Sequence, residues 1–403
     1  MISMITFTRA AMPSAPRLAA LWFGVQALWG ALLGISLQAR ATALHPHDPL
    51  IAYGQLATLG ALTATIVQII VGPLSDRRRS AGHDRRLFLI IGTALGVIGL
   101  LGFYLAPTFA TLVAATIFLQ FGVNICIGPY QAVVPDYFEP QDAGRASSWM
   151  AALQGAGNAC GALAATFIAS PPALAGVLAA VLAAAAVVTI TGMAASNPRP
   201  STTSTFTLSP AAVDLFVSRA ILWIGFYTIL GYMFFYVRDT LHSIAPTRTT
   251  GITILIFTVT SALGAAISGR PADRFDRRLV VNAGTIVVSL ALLAFIVLRD
   301  ARALYITAAF AGIGWGAFLT ADWALGCIIL PRNAMATAMG IWNVAVAGAQ
   351  IAAPAVATGV LLLLHPLTAK APLYALGLAT VEVALGTAWI WRLPRLESPA
   401  AIR

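Results

Sequence analysis

The sequence predicts an all-α membrane protein with twelve transmembrane helices in two pseudo-symmetric bundles of six. Three observations carry this. Hydrophobic residues make up 59% of the 403 residues and charged residues only 9%, whereas soluble domains are roughly a quarter charged. Charge-free runs recur along the chain, and twelve spans of about 22 residues would leave about 140 for loops and ends. A short charged segment also recurs at one offset in the two halves. This composition excludes a nucleic-acid binder, a secreted disulfide scaffold and a soluble enzyme on a membrane anchor.

The spans follow in order. Arg9 and Arg17 precede an apolar run over 18–39. It is longer than the about 7–15 residues of a signal-peptide core and lacks a clear cleavage site, so it is expected to be an uncleaved first span at 18–38. The second is expected at 50–73. Residues 87–135 carry no charge, too long a run for one helix, and Ala106-Pro107-Thr108 divides it into spans three and four. Residues 146–198 are likewise uncharged and are divided by Ser170-Pro171-Pro172 into spans five and six. The remaining spans are expected at 211–237, 250–269, 279–298, 303–330, 334–364 and 372–391. The longest polar interruption, 196–210, lies at mid-chain and reads as a linker. It separates a first bundle at 1–195 from a second at 211–403.

The net charge of +10 reads as a topology signal rather than a sign of a nucleic-acid partner. With the N-terminus inside, the inside loops hold 17 Arg and the outside loops hold five Arg and Lys370. Both termini are therefore expected on the cytoplasmic side. Lys370 is the single lysine among 24 basic residues. That bias, with abundant Ala and Gly, points to a GC-rich bacterial genome and so to a bacterial inner membrane. Cys126, Cys160 and Cys327 lie in apolar stretches and read as small buried hydrophobes. Neither they nor the five His show metal-ligand spacing, so no metal or other cofactor is expected.

The repeat carries the most information. Gly72, Asp76 and Arg77 follow the second span, and Gly269, Asp273 and Arg274 follow the eighth, each shifted by 197 positions. A Gly at a helix end permits close helix approach. An Asp there can pair with a helix N-terminus or an Arg. Such loops would form a cytoplasmic latch between the halves; the alternative is that their charges only anchor the loops at the headgroups. With Gly-x-x-x-Asp-Arg present twice, the sequence resembles the major facilitator superfamily over essentially the whole chain. The resemblance implies two six-helix bundles around a central cavity lined by spans one, four, seven and ten. It also implies a carrier acting as a monomer, whose partners are a small-molecule substrate, the lipid bilayer and protons.

A narrower resemblance exists to sucrose and glycoside-pentoside-hexuronide carriers. Ser75-Asp76-Arg77, Asp84-Arg85-Arg86 and the segment from Pro129 through Gln131 to Asp136 carry it. Asp322-Trp323-Ala324-Leu325 and Gly340-Ile341-Trp342-Asn343 are similar to nearby bacterial members. The sequence departs where Asp84 replaces the usual Gly. Spans one and two also lack the acids that often hold a coupling cation in that branch.

Ionisable groups within spans are costly and mark candidate sites. Asp322 lies in span ten and is a candidate proton carrier or substrate anchor; it could instead be a buried Asp capped by Thr320 or another hydroxyl. Arg219 lies in span seven, with Trp223 and Tyr227 above it on one face. That stack suits an anionic or ring-bearing substrate, or else an interfacial belt. An Arg219–Asp322 ion pair would satisfy both charges. Glu382 in span twelve reads as structural. Gln26, Trp29, Gln120, Asn124, Trp315 and Asn343 complete the candidate substrate cavity. Gln131, Trp149, Gln154, Asn158, Trp342 and Gln350 lie at similar depth. Trp and amide side chains suit a hydroxylated ring, but each could be interhelical glue.

No catalytic or nucleotide-binding constellation is present, so an enzyme is not expected. The expected function is a proton-coupled secondary transporter, such as a symporter, for a sugar-like or glycoside-like solute, anionic solutes included. The alternatives are a proton-antiport exporter of amphipathic compounds, or an uncoupled facilitator. The exporter reading is weakened because span five has Gly155, Gly157 and Gly161 without the Pro typical of drug antiporters.

Overall fold

A bilayer core offers no water to backbone amides, so a chain this apolar must satisfy them within helices. The computed structural model describes residues 14–138, 143–194, 209–330, 335–363 and 370–394. Among these residues there is no strand. The first half comprises α1 (Ala15–Ala31), α2 (Leu37–Leu44), α3 (Pro49–Ser80), α4 (Arg86–Leu105), α5 (Phe109–Tyr130), α6 (Val133–Tyr137), α7 (Ala143–Phe167) and α8 (Pro171–Ala194). The second comprises α9 (Pro210–Phe235), α10 (Pro246–Arg274), α11 (Arg277–Leu298), α12 (Ala301–Ile329), α13 (Met335–Leu363) and α14 (Ala371–Trp389). A π-helical segment, Leu32–Ser36, joins α1 to α2, and another, Tyr236–Thr240, ends α9.

Eleven of these stretches are long and apolar enough to cross a membrane. The remaining pass, α7, has 25 residues but is diluted by Gln154, Asn158 and several glycines. Expected span limits and helix limits agree closely at most ends, and the largest departure is instructive. The sequence places the end of the second span at 73, with a loop following it. Instead α3 continues to Ser80, and α10 likewise runs to Arg274. Arg77, Arg78 and Arg79 occupy the last turn of α3, where cations complement the helix dipole. Gly82, at φ 85°, then turns the chain, and its N–H donates to the Arg79 carbonyl at 3.1 Å. The expected linker, 196–210, lies largely outside the described residues.

The two bundles repeat one packing plan. In the first, α1 packs on α7 and α8, α5 packs on α3 and α4, and α4 also packs on α8. In the second, α9 packs on α13 and α14, α12 packs on α10 and α11, and α11 also packs on α14. The bundles meet where α3 touches α13 and α7 touches α10. These two contacts exchange under the same pseudo-symmetry.

Lipid tails are as apolar as leucine, so burying leucine does not hold such helices together; close packing does. Large apolar side chains accordingly point outward along α3, α4 and α11, among them Ile69, Ile98 and Leu290. Glycines mark the crossings. A Cβ on Gly122 of α5 would stand 2.5 Å from the Gly96 N of α4. A Cβ on Gly284 of α11 would stand 2.5 Å from the Gly314 O of α12. The same device thus holds equivalent crossings in the two bundles. Cys126 is buried, as expected, whereas Cys160 is exposed.

By helix count, α1 starts and α14 ends on one face of the molecule, here the terminal face. The halves are joined near the opposite face. Gln38, which is fully buried, donates to the Leu33 carbonyl at 2.7 Å and across the interface to the Gly231 carbonyl at 3.1 Å. Arg238 donates to Thr42 Oγ1 at 2.6 Å, and Thr42 donates to the Gln38 carbonyl at 2.9 Å. Tyr53 lies edge-on to Tyr232 and Phe235, with its hydroxyl where a Gly231 side chain would be.

A side chain at the glycine crossings must force two backbones apart, and overpacking costs about 1–3 kcal/mol. Gly314→Val is therefore expected to lower the unfolding temperature in detergent by several degrees. Gly377→Ala, where nothing lies within 4 Å, should leave it unchanged. Equal effects of the two substitutions would contradict this account of the crossings.

Candidate functional site

The site is built on α9. Ser209 caps its start, accepting from the Ala212 N–H at 3.2 Å. One face of α9 is pressed onto α14. Ser218 Oγ donates to the Gly386 carbonyl at 2.9 Å, and a Cβ on Gly225 would stand 2.8 Å from the Val383 side chain. Glu382 is buried on this side, against the Thr228 hydroxyl.

The other face carries Arg219, Trp223, Phe226 and Tyr227. Arg219 is ion-paired through Nη1 with Asp322 of α12. The two side chains are 3% and 2% exposed, so Arg219 does not reach out to the headgroups. Thr320 does not cap Asp322; its hydroxyl donates to the Gly316 carbonyl of its own helix at 3.0 Å. The guanidinium lies 4.4 Å from the ring centroid of Trp342 on α13 and 5.7 Å from that of Trp223. Trp315 stacks on Phe226 at 4.8 Å with an interplanar angle of 16°, and it contacts Trp223 and Phe318. Trp223 also contacts Tyr227 at 5.8 Å. The result is one buried ion pair inside an aromatic box supplied by three helices.

The first bundle contributes amides rather than charges. Gln26 of α1 donates to Gln154 Oε1 of α7 at 3.3 Å. Gln68 of α3 donates to Asn124 Oδ1 of α5 at 2.7 Å. The Asn124 amide nitrogen donates to the carbonyl and Oε1 of Gln120, at 2.8 and 3.0 Å. Asn124 is thus engaged at both ends by its own bundle. Trp22 packs on Tyr130, whose hydroxyl donates to the Leu18 carbonyl at 2.7 Å. Gln26 and Trp29 remain half-buried.

The expected site residues therefore fall into groups. Arg219, Asp322, Trp223, Tyr227 and Trp315 come together. Gln26 joins one amide pair, while Gln120 and Asn124 join another set with Gln68. The side chain of Asn343 lies outside the described residues. Phe226, Phe318 and Gln68 were missed by the sequence reading, although Phe226 is two turns from Arg219 and Phe318 one turn from Asp322. Gln68 is an amide deep in an apolar span, and that signal was present.

The repeated segments lie on the last turns of α3 and α10. Asp76 accepts from Arg85 Nη1 at 2.7 Å, and Arg85 Nε reaches Asp136 of α6 at 2.7 Å. Ser75 Oγ also accepts from Arg85, at 2.6 Å. Burial opposes the Arg85 charge, but the bonds and charges of Asp136 and Asp76 outweigh it and hold the pKa above the usual guanidinium value. In the second bundle Arg278 pairs with Asp276 at 2.6 Å and donates to the Leu393 carbonyl at 2.7 Å. Each set ties its own bundle together. A Cβ on Gly72 or Gly269 would meet nothing within 4 Å, so the close approach expected at these glycines does not occur in this conformation. Arg77 is exposed, as is Arg274. The side chain of Asp273 lies outside the described residues.

The model of the Major Facilitator Superfamily matches residues 18–354. No curated protein sequence matches the chain. Among solved structures, the fold is similar to a bacterial homolog of the human lysosomal transporter Spinster, inward-facing and unoccupied. That match has a TM-score of 0.70 at 13% identity, covering 94% of this chain and 96% of that one. The occupied inward-facing form of that homolog matches with a TM-score of 0.67 at 13% identity, over 95% and 97% of the two chains. The nucleoside transporter NupG, solved as a point mutant, matches with a TM-score of 0.69 at 14% identity, over 93% and 100%. At such identities the likeness is one of fold.

Removing one partner of a buried ion pair leaves an uncompensated charge, which costs about 3–5 kcal/mol. Arg219→Met should therefore lower thermal stability in detergent strongly. Arg219→Met combined with Asp322→Leu should regain most of the loss. A double variant no more stable than the single would mean that the pair does not hold the site.

Proposed function

The chain belongs to the major facilitator superfamily, and from that premise we propose that it is a secondary transporter moving a small polar solute by alternating access with proton coupling. Family and fold neighbours make it an integral membrane transporter rather than an enzyme. The observation that carries the finer reading is the Arg219–Asp322 pair. It lies between α9 and α12, about 13 Å from the terminal face at 1.5 Å per residue. A carboxylate so placed can accept a proton when its cation is drawn away, which makes Asp322 the coupling residue and Arg219 its switch partner. The box of Trp223, Trp315 and Phe226 and the half-buried Gln26 supply stacking and hydrogen bonds suited to a sugar-like or glycoside-like solute.

Alternating access is supported by where the halves touch. Their hydrogen bonds, among the described residues, lie at Gln38 and Arg238 near the opposite face. The charged sets of the terminal face bond within their own bundles. This fits a carrier closed on one side and open toward the other, as in its inward-facing neighbours. On this reading the bundles 1–195 and 211–403 rock about the site, joined by 196–210. The terminal face is cytoplasmic and the membrane is a bacterial inner membrane. The carrier works as a monomer. Gly72, Asp76, Arg77, Gly269, Asp273 and Arg274 form the latch that engages when the terminal face closes. The aromatic box also keeps export of amphipathic compounds as the second reading.

The test is pH change in proteoliposomes on adding sugars, organic acids and amphipathic drugs, for wild type and Asp322→Asn. Solute-driven proton movement that is lost in the variant is expected, and its direction separates uptake from export. Solute flux without proton movement, unchanged in the variant, would make the protein an uncoupled facilitator and Asp322 structural. A second prediction concerns the closed face. In a cysteine-free background carrying Thr358→Cys, Gln38→Ala should raise several-fold the rate of labelling by an impermeant maleimide. An unchanged rate would remove Gln38 from the closure.

A further inference from the structure

The buried site has more donors than acceptors. Beyond the Nη1 that holds Asp322, Arg219 Nε is buried with no hydrogen-bond partner, and so are Trp223 Nε1 and Trp342 Nε1. Both indoles lie against the guanidinium, so one N–H of the cation and the N–H groups of two neighbouring indoles are left unsatisfied together. Donors left unpaired in an apolar setting are costly. The chemistry that satisfies them is an oxygen-rich anion, since a carboxylate takes a guanidinium by two parallel bonds and has lone pairs left for the indoles. The amides of the first bundle are different, because Asn124 is already engaged at both ends.

We propose that this site recognises an oxyanion, typically the carboxylate of the transported solute, and that Asp322 is a resident counter-ion which that group displaces. The proposal rests on the transporter reading and names its substrate class. The charge balance sets the stoichiometry. Arg219 and Asp322 together are neutral. A monoanion entering alone would leave an unpaired negative charge in a medium of low dielectric. If Asp322 takes one proton as it leaves Arg219, neutrality is restored: one O–H bond forms on Asp322, one ion pair breaks and one forms. The surrounding groups offer no second neutralising cation at that depth. On α9 the nearby titratable groups are Arg219 and Tyr227, while Asp214 near its start accepts from Trp389. α10 is charged only toward its ends, at Arg248, Arg270, Asp273 and Arg274. α11 is charged only at its start, at Arg277 and Arg278, α13 carries no charge, and α14, packed on the other face of α9, carries the buried carboxyl of Glu382, an acid and not a cation.

The test uses the smallest oxyanion and its neutral counterpart, formate and formamide, on the purified protein in detergent. Tryptophan fluorescence is the readout, because Trp223 and Trp342 flank the guanidinium. In wild type, formate should change the emission, with an apparent Kd rising up to about tenfold per pH unit, the slope for one proton taken up per anion bound. Asp322→Asn should bind formate more tightly and without that pH slope. Arg219→Met combined with Asp322→Asn should not respond, and formamide should not compete. A formate response absent from Asp322→Asn, or matched by formamide, would overturn the proposal. Should Asp322→Asn fail to fold, thermal stabilisation of wild type answers instead: formate must stabilise at about pH 6 and much less at about pH 8, and equal stabilisation at both would overturn it. Failure here with neutral-solute flux in liposomes intact would remove the anion and leave the transporter; formate binding with no flux of any solute would do the reverse.

Discussion

Two opposite charges buried in apolar surroundings constrain much of the second bundle. Arg219 and Asp322 sit on different helices, and neither is tolerable at that depth without the other. Their meeting requires α9 and α12 to hold fixed positions, and the sequence supplies the means on the faces that do not carry charge. Behind Arg219, Ser218 and Gly225 hold α9 to α14 through Gly386 and Val383. Upstream of Asp322, Gly314 meets Gly284 backbone to backbone and fixes α12 on α11. Trp342 then closes over the guanidinium from α13. The bundle surrounds the pair with glycine on one side and indole on the other.

The same solvent logic explains the rest of the molecule. In lipid, apolar side chains gain nothing by facing inward, so helix faces are sorted by size rather than by polarity. Large residues such as Ile69 and Leu290 face outward, while Gly96, Gly122, Gly284 and Gly314 occupy the crossings. Hydroxyls are mostly returned to their own helix: Thr116 donates to the Leu112 carbonyl at 2.7 Å, and Thr285 to the Val281 carbonyl at 2.9 Å. Unsatisfied donors are therefore informative where they cluster, as they do around Arg219.

The sequence made the helices legible because charge is excluded from the bilayer, and charge-free runs mark where the chain crosses it. Those runs do not mark where a helix ends. Asp76 to Arg79 looked like a loop, yet they are helical, since water can solvate their side chains while the backbone keeps its own bonds. The Arg219–Asp322 pairing was legible for a related reason: few ionisable groups lie deep in the spans, and these two are opposite in sign. Glycine crossings were not legible, because the chain has 34 glycines and only the fold selects the four that face each other. The π-helical segments were equally hidden, since they depend on what packs against α1 and α9. At Asn124, depth in the span could not reveal that Gln68 and Gln120 bond its amide at both ends.

The two faces of the molecule are held by unlike means, and this bears on how it could switch. Near the opposite face the halves share hydrogen bonds that run from Arg238 through Thr42 to Gln38 and on to Gly231, together with the Tyr53 ring seated at a glycine. That is enough to favour one conformation by a few kcal/mol without locking it, which is the range in which a bound solute can shift a population. At the terminal face, strong charge pairs are kept inside each bundle, so Arg85 need not release Asp136 for the bundles to move. Under the proposed alternating access, the open space at Gly72 and Gly269 would have a use. Both lie on helices that extend past the apolar spans, and both can admit a neighbouring helix without displacing any side chain. Rocking the bundles would thus exchange a clasp of a few hydrogen bonds for a backbone contact at two glycines, leaving the rigid charged corners of each half intact.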